Sequence, residues 1–329
     1  RVKRIYIEED FAAWKEYAYH AQIHGAILAY LEIKKKNFYS IVSDVDGKRF
    51  VTARGWEDLS VVMKVYEQQG LPINYDFVVQ YLQDPEIARD FAVYYELYQK
   101  YNQIYRIPEL LEGEFPEDVL AIQNAPFDEK LSLIGLLLDA LSQEFVTYAR
   151  WENVQKEFLA QLGYLRIDLK EGKGSAKELL ERQSESHETM TAHRKKANLL
   201  SREELRTAHD LQKAFDACVR LVTEAGSGDA RSDFGLVKQY FDEQENLRQT
   251  QIADTGRHLS NAFDFLSRVF GEGQELVIFL SELSAGYYSL KFVSECGNED
   301  YYKYNRLLLL KDRGEELTQE VMQILALDD

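Results

Sequence analysis

From Phe127 to Asp329 the chain has no proline; all five, at Pro72, Pro85, Pro108, Pro116 and Pro126, come earlier. Proline removes a backbone donor and clashes with the preceding turn, so a long stretch without it permits long helices. The apolar spacing supplies the positive evidence. Leu131, Ile134, Leu138, Leu141, Phe145, Tyr148, Val154 or Gln155, Phe158 and Leu162 recur mostly every third or fourth residue. That rhythm is the buried stripe of a long helix or a coiled-coil-like seam. Gly163 and the run Glu171-Gly172-Lys173-Gly174-Ser175 are expected to punctuate it.

A second helical stretch is expected over 176–225. Ser201 and Glu204 have capping-box spacing, which places a break near Leu200. The loop at Gly226, Ser227, Gly228 and Asp229 ends that stretch, and a third helix follows over 233–270. Three long helices joined by Gly-rich turns suggest an antiparallel bundle or a protruding arm. The more continuously apolar run 275–294 reads as one buried helix, with shorter helices over 301–310 and 315–327.

The part rich in proline is mixed. Residues 1–7 read as a buried strand and 11–21 as a helix. Two β-rich runs, 38–42 and 49–52, flank Asp46-Gly47, a pair that favours a tight hairpin turn. Residues 58–69, 74–82 and 85–105 read as helices. An opening inside a core element, with Val2, Ile5, Tyr6 and Ile7, suggests that the chain is the C-terminal part of a longer protein.

The net charge of −17 disfavours a nucleic-acid partner, because a phosphate backbone needs a basic face. The basic runs at Lys34-Lys35-Lys36 and Arg194-Lys195-Lys196 are short and read as solvated faces. Cys218 sits on an apolar helical stripe near Phe215 and Leu221, and neither it nor Cys296 belongs to a metal motif. So few cysteines fit a reducing compartment. No run approaches the roughly 18 apolar residues of a membrane span. A cytoplasmic location without a span is therefore expected.

The most informative stretch is 50–60. Thr52 can cap a helix that starts at Ala53, and a helix N-terminus attracts anions. Arg54 adds a permanent charge whose fork matches a phosphate. Chemistry alone leaves an exposed, salt-bridged arginine equally open.

Residues 1–10, 23–32 and 50–60 together resemble the last core strand and the lid of MoxR-like AAA+ ATPases. The resemblance extends through Gln80-Tyr81-Leu82 to Tyr105-Arg106-Ile107-Pro108, and more weakly through 261–267 and Tyr287-Tyr288-Ser289. In that family a small residue followed by arginine opens a lid helix as the sensor-2 element, and Arg54 matches that arginine. Ala53 stands where proline is frequent in the family. The resemblance implies a mainly α fold: a helical lid with a small β-hairpin, then a long-helix bundle, with one N-terminal strand left from an α/β ATPase core. The corresponding partition is 1–10 for the end of the core, 11–115 for the lid and 116–329 for the helical bundle. Thr52, Ala53 and Arg54 would lie at the nucleotide phosphates. The implied cofactors are ATP and Mg2+ in the whole protein, none of them tightly bound to this part. The implied partners are neighbouring AAA+ subunits and a von Willebrand factor A-type protein.

The chain contains no Gly-x4-Gly-Lys-Ser/Thr motif with which backbone N–H groups cradle phosphates. Gly172-Lys173-Gly174-Ser175 has the wrong spacing and reads as a linker. This part is therefore expected to hydrolyse no ATP by itself. A non-enzymatic helical scaffold is the alternative. His187 and His193 are six apart and fall on different helical faces, so they do not form a two-histidine zinc motif. His20 and His24 have the right spacing but no placed third ligand. Tyr94, Tyr98, Tyr101 and Tyr105 form a stripe expected to pack within the lid.

Overall fold

The computed structural model describes residues 9–44, 47–115 and 122–308. The fold is mainly helical, with one small antiparallel sheet of two strands. The strand expected over 1–7, the helix over 315–327 and Asp46 of the hairpin turn lie outside the described residues.

The elements in order are α1 (Phe11–His20), α2 (Gly25–Ile33), β1 (Ser40–Asp44), β2 (Gly47–Val51), α3 (Ala53–Gln68), α4 (Tyr75–Val78), α5 (Pro85–Tyr105), α6 (Ile107–Leu111) and α7 (Phe127–Lys170). They continue as α8 (Ala176–Lys196), α9 (Arg202–Ala225), α10 (Ala230–Phe270), α11 (Gln274–Ala285), α12 (Tyr287–Cys296) and a last helix, α13, over 299–308. Contacts divide the chain into two compact units. One comprises the residues up to Gln143 with those from Gly256 on; the other is Glu144–Thr255. Both divisions fall inside long helices, α7 and α10, so the units do not follow the linear partition at 115/116.

In the first unit, the rings of Tyr30, Trp56 and Phe91 meet with centroids 5.2–5.7 Å apart at the centre of α2, α3 and α5. Pro85 at the start of α5 and Asp84 as its cap fix where that helix begins; Asp84 accepts from Glu86 N–H at 3.0 Å. The later helices join the same unit through specific bonds. Asn261 Nδ2 donates to the Leu111 carbonyl at 2.7 Å, and Lys130 pairs with Glu275 at 3.1 Å. Helix α2 packs closely on α7 because both carry glycine at the crossing. A β-carbon at Gly25 would fall 2.7 Å from Cβ of Asp139.

β1 and β2 pair from Ser40↔Val51 to Asp44↔Gly47. The Phe50 N–H donates to the Gln83 carbonyl at 3.2 Å, tying the hairpin to the segment before α5. The helix expected over 74–82 is a single turn, α4. The Tyr81 carbonyl instead approaches Gly55, where a β-carbon would lie only 2.9 Å away.

The second unit holds a four-helix core: the 176–225 stretch divides into α8 and α9 at the break expected near Leu200. Ser201 and Glu204 form the reciprocal capping box at that break. Phe158 and Leu165 of α7, Leu180 of α8, Phe215 and Cys218 of α9 and Val237 of α10 are buried together. Gly163 does not stop α7. An internal glycine costs a helix about 1 kcal/mol, and burial of Leu162 and Leu165 on either side offsets it. Arg248 bridges Glu152 at 2.7 Å and Glu245 at 2.8 Å in the same unit.

The run 275–294 is two helices rather than one: α11 and α12 meet at 88° around Gly286. Ser289 Oγ lies within donating distance of the Leu283 and Gly286 carbonyls, at 2.5 and 2.8 Å. Leu283 belongs to the last turn of α11, whose carbonyls the break leaves without helical partners, while Gly286 also accepts the Leu290 N–H. Among the described residues, α7 is the one single helix long and apolar enough for a membrane span by length and composition. Of its most apolar window, 56% is buried inside the protein, the place of a core helix.

Candidate functional site

Thr52 caps α3 as its sequence position suggests: its Oγ1 accepts the Gly55 N–H at 3.2 Å. Ala53 is the first helical residue. Arg54 follows with its side chain 86% exposed, and its nearest charged partner is Asp58 one turn on, Nε to Oδ2 3.5 Å. Such an exposed pair contributes little, about 0.3–0.5 kcal/mol, so the guanidinium is held only loosely. The three residues singled out in the sequence are thus consecutive at one helix start. Among the described residues, no metal-holding group of His, Cys, Asp or Glu side chains accompanies them.

His24, His20 and His187 have structural partners. His24 caps α2, with Nδ1 accepting the Ala26 N–H at 3.1 Å; that geometry assigns the ring proton to Nε2, which lies 3.0 Å from both oxygens of Glu67. Tyr95 Oη and Gln99 Nε2 also donate to Glu67, at 2.6 and 2.9 Å. Burial pushes the Glu67 carboxyl up, but the hydrogen bonds from His24, then Tyr95 and Gln99, hold it below the usual carboxylate value. Ser60 Oγ accepts the His24 backbone N–H at 2.8 Å, so it is not aligned with the ring as a nucleophile would be. His20 lies beside Tyr287, and His187 bonds Gln212 at 2.9 Å. Among the described residues, no group of three His, Cys, Asp or Glu side chains is placed to hold a metal ion.

The tyrosine stripe packs inward, but against α7 rather than within the 11–115 stretch expected to hold it. Tyr94 Oη meets Ser132 Oγ at 3.1 Å, Tyr105 donates to Glu129, and Tyr98 is buried with its hydroxyl unpartnered. Burial raises the pKa of all three phenols.

Sequence reasoning missed an open cleft in the first unit, formed by α1, α2, α7 and α11. Ile23, Leu28, Leu131, Ile134, Leu138 and Ile278 supply its apolar surface. Lys15 spans one side, bonded to Glu32 of α2 at 2.7 Å and Glu282 of α11 at 2.5 Å. Burial raises the Glu32 pKa, but Lys15 and then Lys35 bring it below the ordinary value. Asp139 and Gln22 also line the cleft. The available signal was Gly25 and Gly135, glycines in otherwise apolar helical runs. Glycine there marks close backbone approach, though it does not disclose the space beside it.

No family model matches the chain, and neither a curated protein nor a solved structure matches it.

Proposed function

We propose that the chain is the lid and helical interaction region of a MoxR-like AAA+ ATPase, with Arg54 reading nucleotide phosphate. The supporting observation is the loosely held Arg54 guanidinium in the first turn of the Thr52-capped helix α3. A helix N-terminus and a guanidinium both favour an anion there. The phosphate cradle, the Mg2+ ligands and the neighbouring AAA+ subunits would come from outside these residues. ATP supplies a transferable phosphoryl group. In this reading Arg54 contributes charge and position, while the helices engage a von Willebrand factor A-type partner or a client in the cytoplasm.

The second reading is a helical scaffold without nucleotide chemistry. It is favoured by the Arg54–Asp58 pair, which gives the arginine a partner with no ligand present. The two readings separate on Arg54→Ala in the protein as the cell makes it. Loss of a charge-assisted phosphate contact should lower ATP turnover about 10- to 100-fold, with unchanged helical content by circular dichroism. Equal turnover and equal ATP affinity in both proteins would favour the scaffold.

A further inference from the structure

We infer that the cleft between α1, α2, α7 and α11 receives a lysine-bearing apolar segment of a partner protein. Asp139 would take the ammonium group and the Gln22 amide a main-chain carbonyl. The inference is independent of any nucleotide role for Arg54.

Three observations carry it. The first is the unbalanced charge. Lys15 answers Glu32 and Glu282, whereas Asp139, half-buried in the same cleft, pairs with no Lys, Arg or His among the described residues. Gln143 Nε2 donates to it at 3.5 Å. The first turn of α2 offsets part of that charge, since a β-carbon on Gly25 would lie 2.9 Å from Asp139 Oδ1. A carboxylate so placed gains from a cation arriving with a ligand.

The second observation is Gln22. Helix α1 ends in a Schellman turn, with Ile23 N–H donating to the Ala18 carbonyl and Gln22 N–H to the Tyr19 carbonyl. The residue at the left-handed position of such a turn is Gly70 after α3, Gly113 after α6, Gly172 after α7 and Asn198 after α8. After α1 it is Gln22, at φ 56°. A left-handed backbone costs a residue with a β-carbon roughly 1–2 kcal/mol. The side chain that the chain keeps there has its Nε2 buried without a hydrogen-bond partner. Gln22 lines the cleft, and turning its amide outward would let that donor meet an acceptor brought by a ligand.

The third is the surface between them. Ile134, Leu138 and Ile278 offer apolar contact to the residues flanking a lysine and to its methylene stem. A free amine would use Asp139 but leave Gln22 unanswered. A peptide answers both.

The test is fluorescence anisotropy with a labelled acetyl-Ala-Leu-Lys-Leu-Ala-amide peptide and its isosteric norleucine analogue, on the full chain. The lysine peptide should bind at about 1 mM or tighter, and the norleucine peptide on the order of tenfold more weakly. Asp139→Asn should erase that difference. Gln22→Gly should weaken both peptides alike, and Ser142→Trp, which fills the cleft, should abolish both. Folding of each variant is checked by circular dichroism. Absence of binding by the wild-type chain, equal affinity for the two peptides, or binding undiminished in the Ser142→Trp protein would overturn the inference. Competition by n-butylamine as effective as the peptide would overturn it in favour of a small-amine site. The wild-type comparison of the two peptides decides the charge argument even where Asp139→Asn does not fold.

Discussion

Ala29 of α2 occupies the space that a side chain on Gly135 of α7 would need: a β-carbon built on Gly135 would lie 2.9 Å from Ala29 Cβ. The two helices touch at that point with almost no side chain between them. Gly135→Leu should therefore separate them, costing about 1–3 kcal/mol as overpacking does, even though leucine is the better helix former. Urea unfolding measures it. A midpoint at or above that of the wild type would show that α7 can move away at no cost.

The carboxylate of Glu67 links stability to acidity. Its pKa is depressed in the fold, because His24, Tyr95 and Gln99 outweigh the effect of burial. A depressed carboxylate contributes stability that is fully present above its unfolded pKa, about 4.3 for a free glutamate. That contribution fades as pH falls through the lower folded pKa. Glu67→Gln should thus lower the urea midpoint near neutrality, with the gap to wild type closing on acidification. Parallel pH profiles for the two proteins would remove Glu67 from the account of acid stability.

Cys218 and Cys296 should react very differently. Burial in the four-helix core pushes the Cys218 thiol up to about 12 and shields it, whereas Cys296 is exposed. Since the thiolate is the reactive form, iodoacetamide applied to the native chain should label Cys296 first, and Cys218 only after denaturant. Mass spectrometry of the labelled peptides reads the order. Rapid native labelling at Cys218 would mean that α9 opens far more readily than its packing suggests.

Much of this architecture could be read from residue patterns. The seam from Leu131 to Leu162 became α7, the capping box at Ser201 marked where α9 begins, and Pro85 opened α5. Those signals are local, acting within a turn or two of the residue that carries them. Gly163 and Gly286 show the limit. Both are glycines in helical runs, yet α7 continues through the first and the chain turns at the second. The difference lies in what each meets in space: flanking leucines buried in a core, or a serine hydroxyl that takes the released Leu283 carbonyl. The cap at Thr52 was legible for the same local reason, and so was the placing of Arg54 in the first turn of α3. The cleft was not, because Lys15 and Gln22, Asp139, and Glu282 come from three separate stretches, and no spacing rule relates those stretches.

The near contact of Gly55 with the Tyr81 carbonyl has a mechanical consequence. With no side chain to act as a cushion, the start of α3 and the strand-bridging segment at Tyr81–Gln83 form a stiff joint. Any shift of the start of α3 would meet backbone at Tyr81 rather than a deformable side chain, beside the Gln83 carbonyl that holds the hairpin and the Asp84 cap of α5.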